Sequence, residues 1–173
     1  MRSDARRPVA ENIGKNGILV GKIRQKLYAH LLNRIKESIA NEYYLEAIAL
    51  EESFISDRLE SYCTHKGTIR QSKLELGHLL DHVKDGVFSP DLRKKLWDWR
   101  QGRNDCLHEM AKFGIVETPT WDEKMNNAKN FAECGIKLVR ETDKELRRLK
   151  SLDKKSNLQR DSCRFRRMGR EEP

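Results

Sequence analysis

Gly102-Arg103-Asn104-Asp105-Cys106-Leu107-His108 holds the residue types needed to cut a phosphodiester without a metal. A guanidinium grips a phosphate with two parallel N–H donors and neutralises charge that builds in the transition state. An imidazole titrates near neutrality, so it can take a 2′-hydroxyl proton or return one to the leaving oxygen. Spacing alone discriminates poorly. Arg followed by His after four to six intervening residues occurs three times: Arg24 to His30, Arg58 to His65 and Arg103 to His108. The third differs in the residue after the Arg. Asn104 stands four positions before His108, so a helix projects both from one face. Arg103 lies about 140° from His108 on the same wheel, and its long side chain makes up part of that angle. In the other two cases Gln25 and Leu59 follow the Arg, and the His face gains no polar partner.

The same residues have plainer uses. Arg103 can be a surface cation pairing with Asp105 or Glu109, and His108 a hydrogen-bonded helix residue. Cys106 has no activating neighbour that would make its thiol a nucleophile. A metal reading starts from Glu75-Leu76-Gly77-His78 and from His78 and His82 with Asp81 and Asp85 nearby. A di-iron bundle needs a second Glu-x-x-His on another helix, which the chain lacks. A zinc site needs three or four convergent ligands, and only two are evident. The expectation is therefore no metal and no cofactor, with His78 and His82 at a helix edge near the surface.

Positioning the Arg–His pair requires helices, and the apolar spacing supplies them. Ile23, Leu27, His30, Leu31, Ile35 and Ile39 recur at helical intervals from Lys22 onward. Asn41-Glu42 either breaks or continues that helix. Tyr44, Leu45, Ile48, Phe54, Ile55, Leu59 and Tyr62 form the longest stripe, predicting a core helix from about Glu42 to Thr64 with Gly67 as its C-terminal cap. A shorter helix is predicted over Ile69 to Val83, followed by a turn at Asp85-Gly86. Ser89-Pro90-Asp91 opens a fourth helix, with a capping residue, a proline at the first position and an acid toward the dipole. It carries Leu92, Leu96, Trp99, Leu107 and Met110, and Gly102 is expected to loosen it before Arg103. Gly114 and Pro119 interrupt the pattern. Thr120-Trp121-Asp122-Glu123 starts a fifth helix with Met125, Ala128, Phe131, Ala132, Ile136, Val139 and Leu146. No strand alternation occurs. The predicted fold is all-α, a single bundle of about five helices over residues 22–152. A flexible segment over 1–21 and a basic tail over 153–173 flank it, the tail disordered or helical in contact with a partner.

Composition narrows the setting. The 173 residues carry a net charge of +8, which favours an anionic partner such as RNA, DNA or acidic headgroups, although much of the excess lies in the two ends. Cys63, Cys106, Cys134 and Cys163 are scattered without paired spacing, so reduced thiols in the cytoplasm are expected. No apolar run approaches the length of a membrane span, and the N-terminus lacks a secretory apolar core.

The order of elements, with the core helix Tyr44–Leu59 followed by Arg-Asn-x-x-x-His on a later long helix, resembles the HEPN superfamily (higher eukaryote and prokaryote nucleotide-binding domain), in particular its bacterial and phage members. The resemblance spans roughly Lys22 to Leu152. It implies a metal-independent endoribonuclease acting as a toxin or in phage defence, with a site shared by two protomers of a homodimer and an antitoxin protein as a further partner. On that basis Arg103 would bind and stabilise the scissile phosphate, Asn104 would orient the site, and His108 would act as general acid or base. Asp105 matches no required position. The alternative is a non-catalytic helical module that binds nucleic acid or a protein partner.

Overall fold

In a computed structural model, backbone is described for residues 8–69, 74–83, 88–108, 110 and 119–168, and side chains for 21–69, 74–83, 88–108, 110 and 119–153. The elements are α1 (Pro8–Ala40), α2 (Tyr44–Lys66), α3 (Leu76–His82), α4 (Pro90–His108) and α5 (Trp121–Met168). The all-α bundle predicted from periodicity is the observed fold.

Local chemistry sets most boundaries. Asn41-Glu42 is a break: Glu42 adopts φ 62°, Tyr43 N–H donates to Ser38 O at 2.7 Å, and Glu42 N–H donates to Ile39 O at 3.1 Å. This is a Schellman closure with a glutamate in the position that glycine usually takes. Gly67 ends α2 at φ 68°, its N–H turned back to the carbonyls of Cys63 and Thr64. α4 starts at Pro90, as the Ser-Pro-Asp pattern predicts. Thr120 and Glu123 form a reciprocal cap on α5. The Thr120 N–H donates to the Glu123 carboxylate at 2.7 Å, and the Glu123 N–H donates to Thr120 Oγ1 at 3.3 Å.

Three boundaries differ from the prediction. α3 is shorter, because Glu75 is extended at ψ 152° and helix begins only at Leu76. α1 is helical back to Pro8, which takes the first helical position, and α5 runs on to Met168. No Gly or Pro interrupts residues 136–168, and Lys, Arg, Glu, Gln and Leu are strong helix formers. The predicted Asp85-Gly86 turn and the Gly114 break lie outside the described residues.

Cross-helix contacts give the directions. α1 lies antiparallel to α2, with Tyr28 against Asp57 and Arg34 against Glu46. α2 runs parallel to α5, with Arg58 on Asp143 at 2.6 Å and Lys66 on Asp153 at 2.6 Å. α4 lies antiparallel to α5, with Lys95 near Glu141 and Lys124 Nζ donating to Met110 O at 3.1 Å. The core is the α2 stripe of Ile48, Phe54, Ile55 and Leu59, closed by Leu96 and Trp99 from α4 and by Ala132, Val139 and Leu146 from α5.

The stripe on α1 is only half right. Ile35 is buried, whereas Ile23 and Leu27 are 52% and 61% exposed. At that level α2 presents Asp57 and Ser61, so α1 faces the bundle with Arg24 and Tyr28 instead. Gly102 also acts otherwise than expected. α4 continues through it, and a Cβ there would overlap the Phe131 ring of α5. Its role is close helix approach. Gly102→Ala should therefore destabilise by about 1–2 kcal/mol in urea unfolding, because overpacking outweighs the gain in helix propensity. A more stable Gly102→Ala protein would refute this packing account.

Candidate functional site

Arg103 comes off α4 toward α2, with its side chain 14% exposed. One terminal nitrogen forms an ion pair with the Glu52 carboxylate of α2. The other donates to Asn104 Oδ1 at 2.7 Å. Nε is buried without a hydrogen-bond partner among the described residues. Burial lowers the guanidinium's pKa from its ordinary value. A guanidinium has five N–H donors in a fixed plane, so bracing at two of them sets its orientation and leaves donor capacity unused.

His108 is the last residue of α4 and is exposed. Among the described residues its side chain makes no hydrogen bond or ion pair. Five residues of α-helix separate it from Arg103 by about 7.5 Å along the axis and about 140° around it. Arg103 and Asn104 are thus brought together directly, while among the described residues no side-chain hydrogen bond or ion pair joins either to His108. Asn104 shares a helix face with His108 by spacing, but it spends its amide oxygen on Arg103.

The partner of Arg103 is not Asp105 on its own helix but Glu52, from an element that sequence spacing could not connect to it, and Glu109 lies outside the described residues. Glu52 lies on the core helix beside a second acid, Glu51, and this Glu-Glu pair inside an apolar stripe was the available signal. Glu51 is fully buried, with neither carboxylate oxygen hydrogen-bonded, and burial pushes its pKa up to about 9. Its carboxyl group lies over Gly135, where a Cβ would overlap it, and close to the Trp99 indole, whose N–H donates instead to Phe131 O at 3.3 Å.

Cys106 is buried, and burial and then the nearby Asp105 raise its thiol pKa, which works against nucleophilic chemistry. Cys63 and Cys106 are buried free thiols and Cys134 an exposed one, while the Cys163 side chain lies outside the described residues. Arg24 and Arg58, from the other two Arg–His spacings, bind Asp57 and Asp143 respectively, and His30 and His65 are exposed. Asp57 and Arg58 therefore do not pair with each other. α3 buries Leu76, Leu79 and Leu80, leaving His78 and His82 on its exposed side. Among the described residues no three His, Cys, Asp or Glu side chains converge. No helix among them is long and apolar enough to cross a membrane.

The arrangement offers a braced arginine and, beyond it at the helix end, an accessible imidazole. Comparisons with protein-family models, with curated proteins and with solved structures find no match to this chain.

Proposed function

We propose that this chain is a metal-independent endoribonuclease of the HEPN type, a cytoplasmic toxin or phage-defence effector that acts as a homodimer. The observation that carries the reading is Arg103, braced between Glu52 and Asn104 on the helix that ends in the exposed His108. The guanidinium holds a phosphate and neutralises charge at phosphorus. The imidazole takes the proton of the 2′-hydroxyl as that oxygen attacks phosphorus. The bond from phosphorus to the 5′-oxygen breaks, and that oxygen receives a proton from the imidazole of a second copy. The products are a 2′,3′-cyclic phosphate and a 5′-hydroxyl, and no oxidant or metal enters the balance. The angle between Arg103 and His108 on one helix favours such pairing across a two-fold axis, where each arginine faces the other copy's histidine. An antitoxin that covers this cleft would turn cutting off.

One observation favours the second reading, a non-catalytic helical module that binds nucleic acid or a protein partner. Arg103 is mostly buried and already neutralised by Glu52, as an arginine that only joins α2 to α4 would be. The test uses the purified full chain and end-labelled RNA in excess EDTA. Wild type should cut and leave cyclic phosphate ends, and Arg103→Lys and His108→Ala should each lower the rate about 100-fold or more while thermal melts stay unchanged. Expression in a bacterial host should show the same contrast in growth and total RNA integrity. Wild type and both variants equally inert in both settings would remove the nuclease reading and leave the binding module.

A further inference from the structure

A second cluster of charge lies away from Arg103. Between α1 and α5, floored by the C-terminal half of α2, runs a groove of about 620 Å³. Lys22, Arg24, Arg58, Arg147 and Lys150 line it. Two carboxylates take the ion pairs of its arginines: Asp57 binds Arg24, and Asp143 binds both Arg58 and Arg147. Lys22 and Lys150 have no carboxylate partner among the described residues. Lys150 is half-buried, and its Nζ bonds the Ser61 hydroxyl at 3.3 Å. That oxygen already accepts from Arg24 at 3.1 Å. Two cations therefore converge on one neutral hydroxyl, with a third, Arg58, close enough to act on Lys150. Burial first, and then the charges of Arg58 and Arg24, lower the Lys150 pKa, against a smaller opposing pull from Asp57 and Asp143. Like charges crowded into a partly desolvated groove are costly unless an anion joins them.

We propose that this α1/α5 groove binds single-stranded nucleic acid through its phosphates, with Lys22, Arg24, Arg147 and Lys150 contacting phosphodiester oxygens. A groove recessed between two helices admits one extended chain of phosphates and does not match the flat headgroup plane of a bilayer. Beyond the groove, residues 154–168 of α5 contain six Lys or Arg and one Asp. The groove is separate from the proposed cleavage site, because Ser61 stands nine residues after Glu52 on α2, about 13 Å along the helix. Binding in this groove does not depend on catalysis.

The experiment measures binding without cutting. The full chain is titrated against labelled single-stranded DNA and 2′-O-methyl RNA of one sequence, neither of which has a 2′-hydroxyl to attack, across a salt series. Wild type should bind with strong salt dependence. Lys22→Gln/Lys150→Gln should weaken binding about tenfold at moderate salt and lower the magnitude of the salt slope by about 1.4, the share of two phosphate contacts on a single strand. Lys129→Gln/Lys137→Gln, which removes the same charge from exposed positions elsewhere on α5, should change affinity less than twofold. Lys22→Gln alone, at an exposed position, should show an intermediate loss and guards against a folding defect in the double variant. Equal losses from both double variants would overturn the proposal in favour of diffuse charge, and no loss from the groove pair would overturn it outright. Binding to phosphatidylserine vesicles and not to either oligonucleotide would overturn it in favour of a lipid surface. A protein that binds through the groove yet never cuts unmodified RNA would refute the nuclease reading alone. Comparison of the two oligonucleotides separates a preference for RNA from one for DNA.

Discussion

Glu51→Gln raises the stability of this protein at pH 7 by about 3 kcal/mol, with a Tm increase of roughly 5–10 °C for a chain of this size. Glu51 is fully buried, and both carboxylate oxygens lack hydrogen-bond partners. Burial raises its pKa from an ordinary 4.5 to about 9. Between those two values the folded state holds a proton that the unfolded state has released. Stability is therefore full below the unfolded pKa and falls by about 1.4 kcal/mol per pH unit as pH rises, levelling off above the folded pKa. Glutamine keeps the shape of the protonated acid, carries no ionisable proton and removes that dependence. Wild type should lose stability steadily from pH 5 to pH 9 in denaturant titrations, and the variant should lack this slope. Parallel curves for the two proteins would mean that Glu51 stays ionised inside the fold, against its desolvation.

Asp143→Ala should cost about 3–5 kcal/mol. Arg58 and Asp143 meet at 2.6 Å with side chains only 10% and 15% exposed. The contact is a charge pairing more than an aligned hydrogen bond, since Arg58 Nε and Asp143 Oδ1 are among the buried atoms without a hydrogen-bond partner. The guanidinium also lies 4.8 Å from the centre of the Tyr28 ring, so this arginine joins α1, α2 and α5. Removal of Asp143 strands a buried cation beside Lys150. The double variant Arg58→Met/Asp143→Leu removes both charges and keeps the volume, and it should fall within about 1–2 kcal/mol of wild type. Urea unfolding of Arg58→Met, Asp143→Leu and the double variant closes the cycle. A double variant as unstable as Asp143→Ala would mean that the pair itself, rather than the penalty of an unpaired charge, holds these helices together.

Both predictions concern charged residues inside an apolar stripe, and there a reading of spacing stops. The α2 pattern of Tyr44, Ile48, Phe54, Ile55, Leu59 and Tyr62 identified the buried face, because burial of a helix follows the 3.6-residue period. Glu51 and Arg58 lie on that same face, and periodicity gave no hint of what they would meet. The α1 stripe failed at Ile23 and Leu27 for a related reason. The pattern located an apolar face, but the polar residues presented by α2 determined which side of α1 turns inward.

The candidate site divides in the same way. Arg103, Asn104 and His108 could be selected from residue type and interval alone, since those determine what chemistry is available and roughly which way each side chain leaves the helix. Glu52, 51 residues away in sequence, could not be selected, because an ion pair between helices depends on how the helices pack. The groove of Lys22 and Lys150 likewise joins two ends of the chain that only antiparallel packing of α1 on α2 and parallel packing of α5 on α2 bring together. By itself the sequence determined the all-helical class, the start of α4 at Pro90, the capped start of α5 at Thr120, the αL stop at Gly67 and the apolar face of the core helix. These depend on backbone geometry and on contacts within a few residues. The tertiary structure alone decided which charges are paired, buried or left without a counter-ion, because that requires groups distant in sequence to be desolvated together.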